Sequence, residues 1–272
     1  MKKVMTWLSV LSLFLVNITG VKAQEITTKQ NYLFLGIDSG TYAGRSDNFS
    51  GHLADAIMFV TVGPANSSVT IATMPRDGYA EIPGYGGNKV NSAFAYGGKD
   101  LMIQTLSNMF GINFDHYVVA NMDGFIEIID ALNGVDVVPP QTFSMYEKLF
   151  FEEGVPKHLD GEHALGYARE RYQTGSDYSR QGRMREMATN IFKQVLQMDD
   201  IESYRALFDN RPHYIETDFT FDEIKALHAQ FKGKEITFNE HQLQGVSEVD
   251  DVLGWLEIIT PESLAELQSI VQ

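Results

Sequence analysis

The hydrophobic positions of the chain follow two patterns, one typical of buried strands and one typical of amphipathic helices. Continuous apolar runs bounded by turn-forming residues predict strands at 32–37, 57–62, 69–74, 116–120 and 135–138. Apolar residues spaced three and four apart predict helices over 102–110, 125–132, 160–167 and 184–196. Because strands and helices alternate along the chain, we expect an α/β layered domain with helices on both faces of a sheet.

The N-terminus predicts export. Lys2 and Lys3 precede the apolar stretch 4–16, and small residues at 21 and 23 are typical of a cleavage site. A retained anchor is an alternative, because residues 4–21 approach the length of a spanning helix. We therefore predict a signal peptide or membrane anchor plus linker at residues 1–30, and an extracytoplasmic location for the rest.

Charge and composition restrict the function. The 272 residues carry a net charge of −15, which disfavours nucleic-acid binding because phosphate backbones need a broad basic surface. Cysteine is absent, which excludes disulfides and thiolate metal sites. Residues 199–272 hold 16 acidic and 5 basic residues, yet their periodic apolar positions predict that this part is folded.

A cluster of arginines stands out in this acidic chain. Guanidinium groups present a planar fork that meets phosphate oxygens two at a time. Arg169 and Arg171 are two residues apart, so their side chains would share a face in an extended segment. Arg180 and Arg183 are three apart at the start of a predicted helix, where free N–H groups favour anions. The alternative is a solvated surface paired with Glu170, Asp177 and Glu186. The cluster comprises Arg169, Arg171, Arg180, Arg183 and Arg185.

Carboxylates mark the ends of the first three strands. Asp38 follows the first strand, Asp55 precedes the second and Asp77 follows the third. Open α/β sheets bind ligands at strand ends, and such acids could share one Mg²⁺ with a pyrophosphate. Turn capping is the alternative role. Arg76 and Lys89 are further candidates for phosphate contacts, although Arg76 and Asp77 could simply pair with each other.

Motifs for other chemistries are missing from the sequence. It contains no His-x-x-x-His or His-Glu-x-x-His zinc pairing, no Gly-x-Ser-x-Gly elbow and no Gly-x-x-x-x-Gly-Lys loop. In contrast, several segments jointly match one family of cell-envelope proteins, LytR-CpsA-Psr, which the chain resembles from about Asn31 to its C-terminus. The segments are 35–39, 55–58, 74–77, 89–91 with 95–98, 133–137, 158–161, 167–171 and 177–181.

The resemblance implies a layered α-β-α sandwich with a central mixed sheet and an apolar groove for a polyprenyl chain. It implies an extracytoplasmic phosphotransferase that moves teichoic acid, capsule or a similar glycopolymer from undecaprenyl pyrophosphate to peptidoglycan at a membrane surface. The reaction would be assisted by Mg²⁺ or Mn²⁺. We expect a catalytic core at 31–198, with the acidic part 199–272 packed on the same domain.

The resemblance also assigns residues by position. The metal-associated acids correspond to Asp38 and Asp55. The residues with a catalytic role correspond to Arg76, Asp77 and Arg171, and the choice between Asp77 and Asp38 as the proton acceptor stays open. The candidate pyrophosphate ligands are Arg76, Arg169, Arg171, Arg180, Gln181, Arg183, Lys89 and Arg45.

Two positions depart from the family pattern. Relatives usually carry Arg-Ser-Asp before the second strand, whereas this chain has His52-Leu53-Ala54-Asp55 and places Arg45 in an upstream loop. Met184 stands where many relatives have glutamine. These departures leave two other functions open. One is a hydrolase that acts on the same lipid-linked pyrophosphate, and the other is a non-catalytic envelope protein that binds polyprenyl phosphate or has a regulatory role.

Overall fold

The computed structural model describes residues 28–145 and 149–272, so the predicted signal peptide or anchor lies outside the described residues. The strands, numbered in chain order, are β1 Gln30–Ile37, β2 Ala54–Gly63, β3 Ser68–Thr73, β4 Tyr79–Ile82, β5 Gly86–Lys89, β6 His116–Ala120, β7 Val135–Val137, β8 Phe143–Met145, β9 Leu149–Phe151, β10 Lys157–Leu159, β11 Ile215–Thr217, β12 Thr237–Gln242, β13 Gly245–Asp250 and β14 Gly254–Ile259. The helices are α1 Ser92–Phe110, α2 Met122–Ala131, α3 Gly161–Arg169, α4 Asp177–Gln197, α5 Arg205–Asp209, α6 Phe221–Phe231 and α7 Pro261–Val271.

A six-stranded mixed sheet forms the centre of the fold, in the order β11-β6-β1-β2-β3-β12. β1 pairs in parallel with β6 and antiparallel with β2, and β3 pairs in parallel with β12. The predicted α/β fold with a central mixed sheet is therefore confirmed. The two edge strands, β11 and β12, come from the acidic C-terminal part of the chain.

The two faces of the sheet bury separate apolar clusters because side chains alternate along each strand. Leu33 and Leu35 of β1 point into a core that α1 and α7 cover with Phe94, Leu106 and Leu267. On the opposite face, residues from α4 and α6 cover β1, β2 and β3. The cluster on that face includes Tyr32, Val60, Ile71, Ala188, Leu196, Leu227 and Phe231. These layers are helices on both sides of one sheet.

Helix α1 is longer than its apolar spacing predicts. The pattern indicates a start near residue 102, but the helix begins at Ser92 and is kinked at Gly97–Gly98, where the backbone leaves helical geometry. Gly98 has φ of 63°, which glycine adopts without the steric cost that other residues bear. The kink at the two glycines interrupts the helical spacing, so the apolar pattern marks only the second part of the helix.

Helix α3 packs closely on α2 because Gly161 has no side chain. A Cβ at Gly161 would lie 2.4 Å from the carbonyl oxygen of Ile126. Asp160 caps α3 through a hydrogen bond from the His163 N–H, as its sequence position predicts. None of the helices in the described part of the chain is long and apolar enough to cross a membrane.

We predict that Gly161→Ala destabilises the fold by about 1–3 kcal/mol, because α2 must move to relieve the backbone overlap. Urea unfolding followed by circular dichroism measures the change. Gly182→Ala in α4 is the matched control, since its Cβ would meet nothing closer than Arg185 at 3.7 Å, and the better helix propensity of alanine should stabilise by up to about 1 kcal/mol. Equal stability of both variants would contradict the close packing of α2 and α3.

Candidate functional site

A β-bulge near the start of β2 places Asp55 in the candidate site. Gly36 pairs with Ala56, but the next residue of β1, Ile37, pairs with Ala54, so Asp55 is the extra residue. Bulges often redirect a side chain beside an active site. Ala54 is buried in the cluster under α1, while Ala56 packs against a separate cluster that includes Ile129, Tyr167 and Met184. The bulge therefore gives Asp55 a direction that a regular strand would not.

Two arginines from distant parts of the chain meet at Asp55. Arg76 Nη1 lies 2.6 Å from Asp55 Oδ2, and Arg180 Nη1 donates to the Asp55 backbone oxygen at 3.1 Å. Arg76 follows the short loop after β3, and Arg180 lies in the first turn of α4. The structure thus brings together two of the predicted pyrophosphate ligands, with one carboxylate between them.

Asp77 extends this chain of charges. Its carboxylate lies 3.0 Å from Lys89 Nζ at the end of β5 and 3.7 Å from Arg76 Nε. The Asp77 side chain is 35% exposed, so it remains accessible from solvent. The local Arg76–Asp77 pair that the sequence left open exists, but the shorter contact of Arg76 is to Asp55.

Asp177 positions the first turn of α4, a role that sequence analysis missed. Its Oδ1 accepts from Arg180 Nε at 2.9 Å, and its Oδ2 accepts from Gln181 Nε2 at 2.8 Å. Gln181 Oε1 is buried and has no hydrogen-bond partner within the described residues. The spacing Asp-x-x-Arg-Gln at a helix start was the available signal, because residues three and four apart are neighbours on a helix.

Arg169 and Arg171 are the exposed arginines of the cluster. Arg169 ends α3 and Arg171 follows the helix, so the segment is not the extended strand that we expected. Neither side chain has a hydrogen bond or an ion pair within residues 28–145 and 149–272. The Glu170 carboxylate accepts the N–H groups of Gln173 and Thr174, so both guanidinium groups stay available to an anion.

Arg183 and Arg185 are structural, and the predicted role of Arg183 as a phosphate ligand needs correction. Arg183 is 1% exposed and donates to the backbone oxygens of Tyr167 and Glu170. Burial lowers the pKa of Arg183. Arg185 donates to the Thr73 hydroxyl and to Gln242, which ties α4 to β3 and β12. Arg183 therefore fixes the end of α3, which carries Arg169, rather than reaching the surface itself.

Asp38 lies at the end of β1 and organises the loop that follows. Its Oδ1 accepts the Leu53 N–H at 2.9 Å, and Arg45 Nη1 contacts its Oδ2 at 2.5 Å. The loop thus brings Arg45 back to the strand end, although the chain lacks an arginine just before β2. His52 Nδ1 lies 3.5 Å from the same carboxylate.

Burial is the main electrostatic influence on Asp55. It raises the pKa of Asp55, Arg76 and Arg180 oppose that increase, and the negative charge of Asp38 adds to it. Asp55 Oδ1 is buried without a hydrogen-bond partner in the described part of the protein. A cation would stabilise the charged form of both carboxylates. Residues 28–145 and 149–272 contain no cluster of three or more side chains that could hold a metal ion, so any ion here needs further oxygen ligands.

An apolar cavity of about 320 Å³ lies between the sheet and α2, α4, α5 and α6. Its walls include Phe34 and Val118 of the sheet, and Ile191 and Val195 of α4. The cross-strand pair Gly36 and Ala56 lies close together near the arginine end of the sheet, since a Cβ on Gly36 would lie 2.9 Å from the Ala56 Cβ. The cavity and the charged site therefore occupy the same face, at opposite ends of α4.

Comparisons with known proteins agree with this architecture. The model of the LytR_cpsA_psr family matches residues 15–269. A polyisoprenyl-teichoic acid–peptidoglycan teichoic acid transferase TagU from Enterococcus faecalis is 33% identical over 228 residues, covering 83% of this chain and 73% of that protein. TagU from Halalkalibacterium halodurans is 34% identical over 242 residues, covering 87% of this chain and 76% of that protein.

A solved structure shares the fold. The crystal structure of a protein from Enterococcus faecalis, described as a transcriptional regulator, is 29% identical and superimposes with a TM-score of 0.74. The match covers 90% of this chain and 86% of that chain.

Substitution of a buried arginine should destabilise the protein, whereas substitution of an exposed arginine should leave its stability nearly unchanged. Arg183→Met should destabilise the protein by about 3 kcal/mol or more, because two charge-assisted hydrogen bonds to backbone oxygens are lost. Arg169→Met is the matched control, and it should change the free energy of unfolding by less than about 0.5 kcal/mol because its side chain is exposed. Urea denaturation gives both values. A stable Arg183→Met protein would show that this side chain does not hold α3.

Proposed function

Because the chain belongs to the LytR-CpsA-Psr family, we propose that it transfers a teichoic acid or similar glycopolymer from a polyprenyl pyrophosphate carrier to peptidoglycan. The observation that carries the proposal is the convergence of Arg76 and Arg180 on Asp55. Arg169 and Arg171 are exposed and have no ion pair among the described residues. The identities of 33% and 34% with proteins named as teichoic acid transferases support this reaction class.

The reaction is a phosphoryl transfer between oxygens. An acceptor hydroxyl attacks the phosphorus next to the glycan, a new P–O bond forms, and the bond to the bridging oxygen breaks. Polyprenyl phosphate leaves with that oxygen, and the hydroxyl proton goes to a base. Such a transfer needs positioning and charge stabilisation rather than a covalent protein nucleophile. Guanidinium forks supply that stabilisation in our proposal.

Asp77 is the better-placed proton acceptor of the two candidates. Asp38 is 18% exposed, and the Leu53 N–H and Arg45 occupy its two oxygens. Asp77 is 35% exposed, and its carboxylate contacts the cationic groups of Lys89 and Arg76. A general base must reach the proton that it removes, so the more accessible carboxylate suits this role.

Mg²⁺ belongs to this proposal, with Mn²⁺ as the alternative. Asp38 and Asp55 would hold the ion, and the unpartnered Asp55 Oδ1 fits such a ligand. Mg²⁺ is commonly bound by one or two carboxylates plus substrate phosphates, which agrees with the small number of acids here. Bound at this place, the ion would neutralise charge on the diphosphate.

The apolar cavity is the proposed site for the polyprenyl chain. Hydrocarbon transferred from water into such a cavity gains free energy in proportion to its buried surface. The diphosphate would lie at the arginine end of α4 while isoprene units extend over Gly36 and Ala56. A peptidoglycan acceptor implies an extracytoplasmic location at the membrane surface.

Two other functions use the same residues. A hydrolase would release the glycopolymer to water, and a non-catalytic protein would bind the lipid without turnover; Met184 and His52, which depart from the family pattern, motivate these alternatives. A role in transcription, as the description of the structural relative suggests, is disfavoured by the net charge of −15.

Transfer from a synthetic lipid-linked oligosaccharide to wall fragments tests the proposal. We expect polymer-linked peptidoglycan from the wild type with Mg²⁺, and a rate lower by on the order of 10²–10³-fold for Arg180→Ala, because one preorganised donor is lost. Arg180→Lys should recover only part of the rate, since it keeps the charge but not the fork. Lys234→Ala, at an exposed lysine between α6 and β12, is the control. Free polymer as the sole product would favour the hydrolase, and lipid binding without turnover would favour the non-catalytic protein.

Filling the cavity tests the role of the polyprenyl chain. Val195→Trp places a large side chain among Phe34, Ile191 and other wall residues. We expect affinity for a long-chain polyprenyl pyrophosphate to fall by about tenfold or more, because apolar surface can no longer be buried. Affinity for a short-chain analogue should be unchanged. Equal losses for both chain lengths would indicate that the substitution disturbs the charged site instead.

A further inference from the structure

The hairpin β13–β14 exposes an indole next to the charged site. Trp255 is 67% exposed, and its cross-strand partner Val249 is 64% exposed. The next pair along the same face is Ser247 and Glu257, since side chains two apart on a strand share a face. This surface, which we call the hairpin face, comprises Val249, Trp255, Ser247 and Glu257.

Hydrogen bonds join the hairpin face to the candidate site. The Glu257 N–H donates to the Asp77 backbone oxygen at 3.0 Å. Tyr178 is the next link: its hydroxyl donates to Glu257 Oε2 at 3.2 Å and accepts from the Gly245 N–H at 3.0 Å. Tyr178 directly follows Asp177, which holds Arg180. The hairpin is therefore fixed to both the base candidate and the arginine helix.

The chemistry of this face suits a sugar chain. The C–H edge of a pyranose ring packs on a flat indole, and its hydroxyl groups need hydrogen-bond partners nearby. Ser247, Glu257 and Tyr178 supply hydroxyl and carboxylate groups beside the indole. The two strand positions from Trp255 to Glu257 span about 6.5 Å, so a short saccharide on the indole reaches the side of Asp77.

The negative charge of the hairpin argues against two other ligands for this face, a teichoic acid and an anionic bilayer. Residues 245–259 hold four acidic and no basic residues: Glu248, Asp250, Asp251 and Glu257. A polyanionic teichoic acid and an anionic bilayer are both repelled by such a segment, whereas a neutral sugar chain is not. The donor polymer therefore leaves this side of the site free.

We propose that the hairpin face binds the glycan strand of peptidoglycan and presents its hydroxyl to the reaction centre. The acceptor role rests on the proposed transferase function, but binding of the glycan does not. Trp255 is a binding residue for the acceptor, and Tyr178 is a positioning residue that holds the hairpin against α4.

Binding of a soluble, uncharged N-acetylglucosamine oligomer, measured by calorimetry, tests the proposal directly. We expect Trp255→Ala to weaken binding by at least about tenfold, as for a buried aromatic anchor, and Trp255→Phe to retain most of the affinity. Val246→Ala, on the opposite face of the hairpin, and Tyr85→Ala, at an exposed tyrosine stacked on Tyr96, are matched controls that should bind normally.

Transfer assays separate this inference from the proposed function. With a saturating lipid-linked donor, Trp255→Ala should raise the KM for the acceptor while donor affinity stays unchanged. Unchanged glycan affinity and acceptor KM in an active, folded Trp255→Ala protein would overturn the hairpin proposal and leave the transferase intact. Glycan binding by a wild-type protein that never transfers polymer would support the hairpin proposal and overturn the proposed transferase function. Loss of binding to anionic vesicles alone in Trp255→Ala would assign the face to the membrane and also overturn the proposal.

Discussion

The site depends on one partly buried carboxylate, Asp55, that keeps two guanidinium groups together. Two like charges at about 4 Å repel each other by roughly 4 kcal/mol at an effective dielectric constant of 20, so Arg76 and Arg180 need an anion between them. Asp55 supplies it through its carboxylate to Arg76 and its backbone oxygen to Arg180. Burial lowers the pKa of Arg76, but the negative charges of Asp55, Asp177 and Asp77 outweigh burial, so the pKa is raised. In the proposed function, a diphosphate would therefore enter a site whose donors are already gathered, and it would exchange with carboxylates rather than draw in mobile side chains.

Arginine serves two purposes in this protein, and the sequence alone does not separate them. The cluster between residues 169 and 185 predicts anion binding. The structure places Arg180 against Asp55 and leaves Arg169 and Arg171 exposed. Arg183, one helical turn beyond Arg180, instead points at the last carbonyls of α3 and between the rings of Phe143 and Tyr167. Helical spacing shows which arginines share a side of α4. Which of them meets solvent depends on α3, which packs across from α4 and is held close to α2 at Gly161.

The fold itself could largely be predicted, because long apolar runs and regular helical spacing produced β1, β2, β3, β6, α2 and α4. The missed elements have physical reasons. β13 is exposed at nearly every position, so no alternation of apolar and polar residues marks it. The bulge at Asp55 arises from a mismatch between two strands, which appears only when their register is known. Asp177 was visible as an acid near a helix start, but its bonds to both Arg180 and Gln181 required the first turn to be built.

The first turn of α4 is where the parts of the proposed reaction meet. Asp177 holds Arg180 for the diphosphate, Tyr178 holds the hairpin for the acceptor, and the far end of the same helix lines the apolar cavity. A rigid helix transmits any displacement along its whole length, so its position must be fixed independently of the ligands. Arg185 fixes it to β3 and β12, and Arg183 fixes it to α3, both through buried hydrogen bonds. The buried arginines thus hold the frame within which the exposed ones can act.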